Sequence, residues 1–404
     1  MAVSRTLPEP DAATRVGLRQ VLVVLCATEI TSWGVLYYAF PVLAGKITTA
    51  TGWPTAAITA ALSASQLVAA LIGIPVGRRL DRHGPRGVMT AGSLLAVPAV
   101  VAVAYAPNLA CFLAAWLLVG VAMGAVLYPP AFAALTRWHG PNRIRALTVL
   151  TLAAGLASTV FAPLTAWLST WLDWRGTYLV LGGILAVITI PGHWFGLRVP
   201  WPPRPPVEAQ HAHAANPGQV ARSRSFVVLA VALSMAAFAT FAVVVNLVPL
   251  LGERGVGTGI AAVALGLGGA GQVAGRLGYA TLTARTSIRT RTALILLAMA
   301  ATTALLGMLT SVPALIAAAI LAGMARGVFT LLQATAITDR WGATHYGRLM
   351  GLLSAPLTIT MALAPFAGAA LANLLDGYAT TFLLLGAITV GAAALSLAST
   401  PRTS

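Results

Sequence analysis

The sequence predicts an all-α membrane protein whose twelve transmembrane helices form two pseudo-symmetric bundles of six. Three observations predict it. Apolar runs close to the roughly 20 residues that a bilayer core requires recur along the whole chain. Arginine loads every second gap between these runs and is nearly absent from the gaps in between, as a bilayer imposes on a chain that crosses it repeatedly. A register shift of 203 residues lays small and charged residues of the first half on their counterparts in the second.

The runs, taken in order, are Leu18–Leu43, Thr55–Val76, Val88–Ala106, Leu109–Leu135, Ala146–Leu172 and Thr177–Leu197. After a break come Phe226–Leu251, Gly259–Leu282, Ala293–Thr310, Pro313–Ile337, Leu349–Leu375 and Ala379–Leu397. Strands of a membrane barrel would instead show short alternating segments. The first run follows Arg5, Arg15 and Arg19 but is too long for a signal-peptide core of about 7–15 residues, so it reads as a retained span.

Composition agrees with this reading. The 404 residues are 58% hydrophobic and 8% charged, with a mean hydropathy of +0.86, against about 25% charged for a soluble domain. The net charge of +16 is dispersed over many gaps rather than gathered in a stripe or arm, which argues against nucleic acid as a partner. Cys26 and Cys111 each lie in an apolar run and read as packing residues.

With both termini cytoplasmic, the inner gaps hold Arg5, Arg15, Arg19, Arg78, Arg79, Arg82, Arg86, Arg137, Arg143 and Arg145, then Arg198, Arg204, Arg222, Arg224, Arg285, Arg289, Arg291, Arg340, Arg348 and Arg402. Only Lys46, Arg175 and Arg254 fall outside, and Arg276 and Arg326 lie within spans. The opposite orientation would invert the rule that cationic loops stay inside, so a multi-pass protein of the cytoplasmic membrane is expected.

The repeat sets the domains: a bundle over 1–199, a cytoplasmic linker over 200–225 and a bundle over 226–404. In the one register, Gly120, Ala122 and Gly124 fall on Gly323, Ala325 and Gly327. Arg137 and Trp138 fall on Arg340 and Trp341, Arg145 on Arg348, and Asp173 on Asp376. Six spans separate equivalent positions, so the duplication is parallel, and such transporters place their substrate near the midplane between the halves. The linker carries His211 and His213, which lack a third ligand, so no metal is expected.

The segment after the second run reads Gly77-Arg78-Arg79-Leu80-Asp81-Arg82-His83-Gly84-Pro85-Arg86. It resembles the signature loop of the major facilitator superfamily, G-x-x-x-D-R-x-G-x-R, and the twelve-span plan extends that resemblance over the whole chain. The resemblance implies a gate built from Gly77, Asp81, Arg82, Gly84 and Arg86. In it Asp81 caps the inner end of a helix in the other half, with Arg82 and Arg86 as partners. Ala284 stands at the acid's place in the second half, so an asymmetric latch is expected.

Ionisable residues inside spans are costly and are therefore functional candidates. Glu29 lies in the first run, Arg276 in the eighth and Arg326 in the tenth, where the first half has Met123. The family resemblance implies that the first and tenth spans line a central cavity, and an arginine in the eighth span is similar to the carboxylate ligand of the monocarboxylate and oxalate/formate branch. Arginine suits this task because its planar fork takes a carboxylate bidentately. Arg276 and Arg326 are thus expected to bind the anion, and Glu29 to couple protons or to pair with Arg326. Tyr37, Tyr38, Asn246 and Gln333 are further candidate substrate contacts.

The glycines of Gly266-x-Gly268-Gly269-x-Gly271 match a dinucleotide fingerprint only as text, because they lie in an apolar span and read as close helix packing. No Walker loop and no nucleophile-and-base grouping occurs, so neither an enzyme nor a cofactor is expected. The expectation is a proton-coupled transporter of a small organic anion, able to work as a monomer. The alternatives are a proton-coupled exporter of drugs or metabolites, and a non-transporting sensor or channel. The efflux signature G-P-x-x-G-G in the fifth span is only echoed, by Gly155 and Ala162–Pro163.

Overall fold

The computed structural model describes residues 12–202 and 217–400. In the first half, α1 (Ala12–Trp33), a π-helical turn (Gly34–Tyr38) and α2 (Ala39–Thr51) form the first span. They are followed by α3 (Thr55–His83), α4 (Pro85–Ala104), α5 (Leu109–Val126) and α6 (Tyr128–His139). A short turn leads to α7 (Arg143–Gly155), α8 (Ala157–Trp171) and α9 (Trp174–Gly196). Beyond the linker come α10 (Pro217–Arg222), α11 (Arg224–Glu253), α12 (Thr258–Leu277), α13 (Tyr279–Arg285), α14 (Ile288–Met308), α15 (Val312–Trp341), α16 (Tyr346–Leu374) and α17 (Tyr378–Ser396). No strand occurs among the described residues. His211 and His213 lie outside them.

By length and composition, ten segments among the described residues can cross a membrane. One of them, Leu109–Trp171, crosses twice. Phe112 at its start lies against Trp53, with 5.3 Å between the ring centres. Arg143 in its middle reaches Asp339 at the opposite end of the bundle, and Ser169 near its close accepts from Lys46 back at the first end. With α12 as the eighth span, the twelve predicted spans are in place.

Arg137, Arg143, Arg291, Arg340 and Arg348 gather at one end of the bundle, around Asp81 and Asp339. At this arginine-rich end, buried residues of both halves form one continuous core that includes Leu25, Leu135, Leu150, Leu233, Leu332 and Leu353. Towards the other end the cores separate. Val35, Phe112, Trp116 and Leu181 pack within the first half, and Leu250, Leu315 and Phe382 within the second. The halves are therefore closed together at the arginine-rich end.

The duplication is visible as geometry. A side chain on Gly120 would run into the carbonyl of Ser65, and one on Gly124 into that of Ala69. At the positions 203 residues on, Gly323 meets the carbonyl of Gly268 and Gly327 that of Gln272. Small residues let the backbones of α3 and α5, and of α12 and α15, lie in direct contact. The glycines that mimic a nucleotide fingerprint belong to the second of these seams. Gly271 meets the Ile320 carbonyl, whereas Gly266 has nothing within 4 Å.

The contrast within one glycine cluster gives a test. Gly323→Val forces α12 and α15 apart and is expected to cost about 2 kcal/mol or more, as overpacking of a tight contact does. Gly266→Ala is expected to leave thermal unfolding of the purified protein unchanged. Equal melting temperatures for the two variants would contradict this packing.

Candidate functional site

The gate is set by two helices that touch backbone to backbone. Gly77 of α3 and Gly347 of α16 each lie against the other's carbonyl, and Gly351 lies against the carbonyl of Gly73. This small-xxx-small spacing on both helices brings the end of α3 against the first turn of α16. One turn beyond Gly77, the Asp81 carboxylate accepts from the backbone N–H of Gly347 at 2.9 Å and of Arg348 at 2.8 Å. His345, at the N-cap position of α16, supplies no side-chain capping hydrogen bond to that helix. The cap therefore comes from the other half, where a carboxylate meets the positive end of a helix.

The rest of the signature departs from its expected form. Gly77–His83 is the last part of α3 rather than a loop, and Gly84, at φ 80°, ends the helix. Arg86 does not join Asp81. Its Nε donates to the Trp194 carbonyl at 2.9 Å and its guanidinium lies 4.3 Å from the centre of the Trp194 ring, inside its own half. Arg82 is exposed. Arg137 takes the place of both, donating to the Asp81 carbonyl at 3.1 Å and to Pro202 at 2.6 Å.

A second acid, not singled out from the sequence, closes the opposite side. Asp339 of α15 binds Arg291 of its own half at 2.5 Å and Arg143 of the first half at 3.6 Å. The repeat puts Thr136 at its equivalent position and Ala284 at the equivalent of Asp81. The latch is thus two-sided, although its acids sit at unrelated positions. The signal for Asp339 was present: it is one of nine acids in the chain, and it lies where basic residues concentrate.

Above the gate, a cavity of about 140 Å³ lies between the halves. Gln66, Gly73, Met123 and Tyr128 line it from the first half, and Thr330, Gln333, Ser354 and Thr358 from the second. Arg276 and Arg326 are the repeat equivalents of Gly73 and Met123. The Thr330 hydroxyl donates back to the Arg326 carbonyl at 3.1 Å, one turn along the same helix. Arg276, only 4% exposed, crosses to the first half and donates to the Thr151 carbonyl beside Gly155. Tyr38 lies within electrostatic range of both arginines, and Tyr128 within range of Arg276.

The aromatic wall comes from the first span. Gly34–Tyr38 winds as a π-helix, a form that recurs at functional sites. It brings Trp33 and Tyr37 to 5.6 Å, Tyr37 and Tyr38 to 5.2 Å, and Trp33 and Tyr128 to 5.1 Å between ring centres. Glu29, one turn before Trp33, is fully buried behind this wall. Its two oxygens are buried beside the Trp33 indole N–H but outside good hydrogen-bond geometry with it, and among the described residues it forms no ion pair with Arg326. The expected Glu29–Arg326 pair is therefore absent from this conformation. Asn246 does not join the cluster either; it lies against Gly368 and donates to the Ala242 carbonyl of its own helix at 2.8 Å.

Comparison with known proteins follows the same lines. Residues 23–313 and 289–404 match the profile of the Major Facilitator Superfamily. Human Monocarboxylate transporter 11 is 30% identical over 221 residues, which are 54% of this chain and 46% of that protein. The match thus spans about half of the curated relative. FucP, an E. coli fucose:proton symporter, superposes in its outward conformation with a TM-score of 0.72 and 15% identity, over 94% of this chain and 99% of FucP. The human organic anion transporter MFSD10 gives 0.72 and 18%, over 94% and 99%. At these identities the two structures share a fold with this chain.

Asp81→Asn and Asp339→Asn each remove a charged hydrogen bond worth about 1.5–3 kcal/mol. Spin labels at His83 and Arg285, both exposed at the arginine-rich end, are expected to report about a tenfold larger separated population in either variant. Unchanged distance distributions in both would contradict the latch.

Proposed function

The chain belongs to the Major Facilitator Superfamily, and from that premise we propose that it is a secondary active transporter of a small organic anion in the cytoplasmic membrane. In this reading the two halves, 1–199 and 226–404, rock about the central cavity while 200–225 tethers them on the cytoplasmic side, where both termini also lie. One copy of the chain suffices for the cycle. The arginine-rich end faces the cytoplasm and is closed in this conformation.

One observation carries the proposal: two arginines, Arg276 and Arg326, lie within the spans α12 and α15, outside the lining of the cavity, and Arg276 reaches the first half at the Thr151 carbonyl. A guanidinium there costs several kcal/mol unless water, a partner or a ligand meets it. Arg276 is already poised across the boundary through the Thr151 carbonyl. A carboxylate is a stronger acceptor than that carbonyl, because a hydrogen bond between two ions is roughly twice as strong as a neutral one. The incoming anion displaces Thr151, takes the Arg276 fork, and receives hydrogen bonds from Tyr38, Tyr128 and Gln333. The names of the relatives, a monocarboxylate transporter and an organic anion transporter, support an anionic solute of the monocarboxylate kind.

Glu29 supplies the proton site. It is a buried carboxyl inside the first span, next to Trp33 and within electrostatic range of Tyr128, both of which line the cavity. A small rotation of either ring opens it to water, so proton exchange is gated by the walls that the anion contacts. The same aromatic wall also favours a second reading, export of hydrophobic compounds with Glu29 as the coupling acid.

Three outcomes test these roles in proteoliposomes. Arg276→Gln is expected to lower anion uptake by about a hundredfold, as loss of a buried charged contact of 2–5 kcal/mol implies, whereas Arg276→Lys retains part of it. Uptake with unchanged affinity in Arg276→Gln would reject the assignment. Glu29→Gln is expected to abolish accumulation driven by a pH gradient while sparing exchange between two loaded anion pools; equal loss of both would make Glu29 structural. Extrusion of a hydrophobic dye with no anion flux would favour the exporter.

A further inference from the structure

The chain leaves the sixth span as Gly196-Leu197-Arg198-Val199-Pro200-Trp201-Pro202. Pro200 and Pro202 have no N–H with which to continue α9, and the end of α6 takes both of their carbonyls. Trp138 donates from Nε1 to the Pro200 carbonyl at 3.1 Å, and Arg137 donates to that of Pro202 at 2.6 Å. Trp201 is held between them. Its ring stands across that of Trp138, with 5.3 Å between the centres, and lies 4.7 Å from the Arg137 guanidinium.

The same ring covers the end of α3. A side chain on Gly84, the glycine that terminates this helix, would meet Trp201 atoms at 3.1–3.3 Å. The other arm of the Arg137 guanidinium donates to the Asp81 carbonyl at 3.1 Å. The last turn of α3 carries the latch acid, and one arginine and one linker tryptophan fix it in place. A cation against an aromatic face and two rings at right angles are both attractive contacts.

The duplication separates this arrangement from a plain staple on the departing chain. Arg340, the equivalent of Arg137, also grips the chain where it leaves the last span of its half, donating to the Ser399 carbonyl and hydroxyl at 3.1 Å each. Yet the 203-residue register sets Ser404 against Trp201, Ser287 against Gly84 and Ala284 against Asp81. An arginine suffices to hold the departing segment. The tryptophan and the glycine beneath it belong to the half whose helix end carries the acid.

We infer that Trp201 is a positioning residue of the gate: it sets the end of α3 so that the Asp81 carboxylate meets the N–H groups of Gly347 and Arg348 already aligned. Alignment made in advance spares the ordering cost of the contact. With the halves apart, those N–H groups are out of reach and there is nothing to align. Loss of Trp201 therefore weakens the conformation closed at the arginine-rich end and spares the other. The inference rests on the rocking of the two halves and holds for any cargo.

The test uses the full chain in lipid nanodiscs, with spin labels at Asn142 and Arg285, both exposed at the arginine-rich end. Trp201→Ala is expected to enlarge the separated population about fivefold, the change that one aromatic contact of this kind supports. Trp201→Phe is expected to restore most of the wild-type distribution. Trp201→Leu keeps an apolar side chain on the core and is expected to act as Trp201→Ala does, which guards against misfolding. In an Asp81→Ala background, Trp201→Ala is expected to add less than about twofold, because residues that act as a unit are not additive. Unchanged distances in Trp201→Ala and Trp201→Leu, with Asp81→Ala opening the gate, would overturn the inference and leave the latch standing. A fivefold effect that persists in full without the acid would also overturn it, making Trp201 a staple of the fold. Unchanged distances in Asp81→Ala as well would overturn both.

Discussion

A bilayer charges heavily for every ion placed within it, and this constraint organises the molecule. It confines twenty of the twenty-five basic residues to alternate gaps, and so fixes the path of the chain. It sends the acids Asp81 and Asp339 to one rim, where the arginines can meet them. The few ions left inside a span must then answer to a ligand or a proton. Glu29, Arg276 and Arg326 are the candidates for those proposed roles.

The same economy explains why the two halves meet as they do. Duplicated glycine seams make each half internally rigid, with Gly120 and Gly323 at equivalent places. The seam between the halves is different in kind. α3 and α16 touch through glycines, which give close van der Waals contact but little hydrophobic area, and Asp81 closes the contact with a charge. Asp339 does the same on the other side with a residue the repeat does not supply. Contacts of this sort are strong when formed and leave little behind when broken, which suits a joint between two packed bodies that must have two positions.

Much of this was legible in the sequence because it follows from spacing and charge. The twelve spans and the 203-residue register depend on pattern alone, and the docking of Asp81 on a helix of the other half is what the motif's resemblance to the family signature implied. Other features depend on helix rotation, which apolar runs do not encode. Glu29 belongs to the first span, yet it does not line the cavity, whereas its neighbour Trp33 and the Tyr128 ring against it do. Asn246 is polar and inside the seventh span, but its side chain lies against Gly368. Arg86 lies close to Asp81 in sequence and is drawn instead to Trp194. The π-helical turn at Gly34–Tyr38 left no trace in the pattern beyond one glycine before two tyrosines.

The claim beneath all of this is that the cavity opens to each side of the membrane in turn. Replacing Cys26 and Cys111 by serine and Thr330, on the cavity wall, by cysteine allows an impermeant thiol reagent to report access from each face in vesicles of known sidedness. Labelling from the arginine-poor face alone at rest, slowed by the transported anion and appearing from the arginine-rich face during turnover under a proton gradient, is the predicted result. Labelling that stays confined to one face throughout turnover would contradict the account.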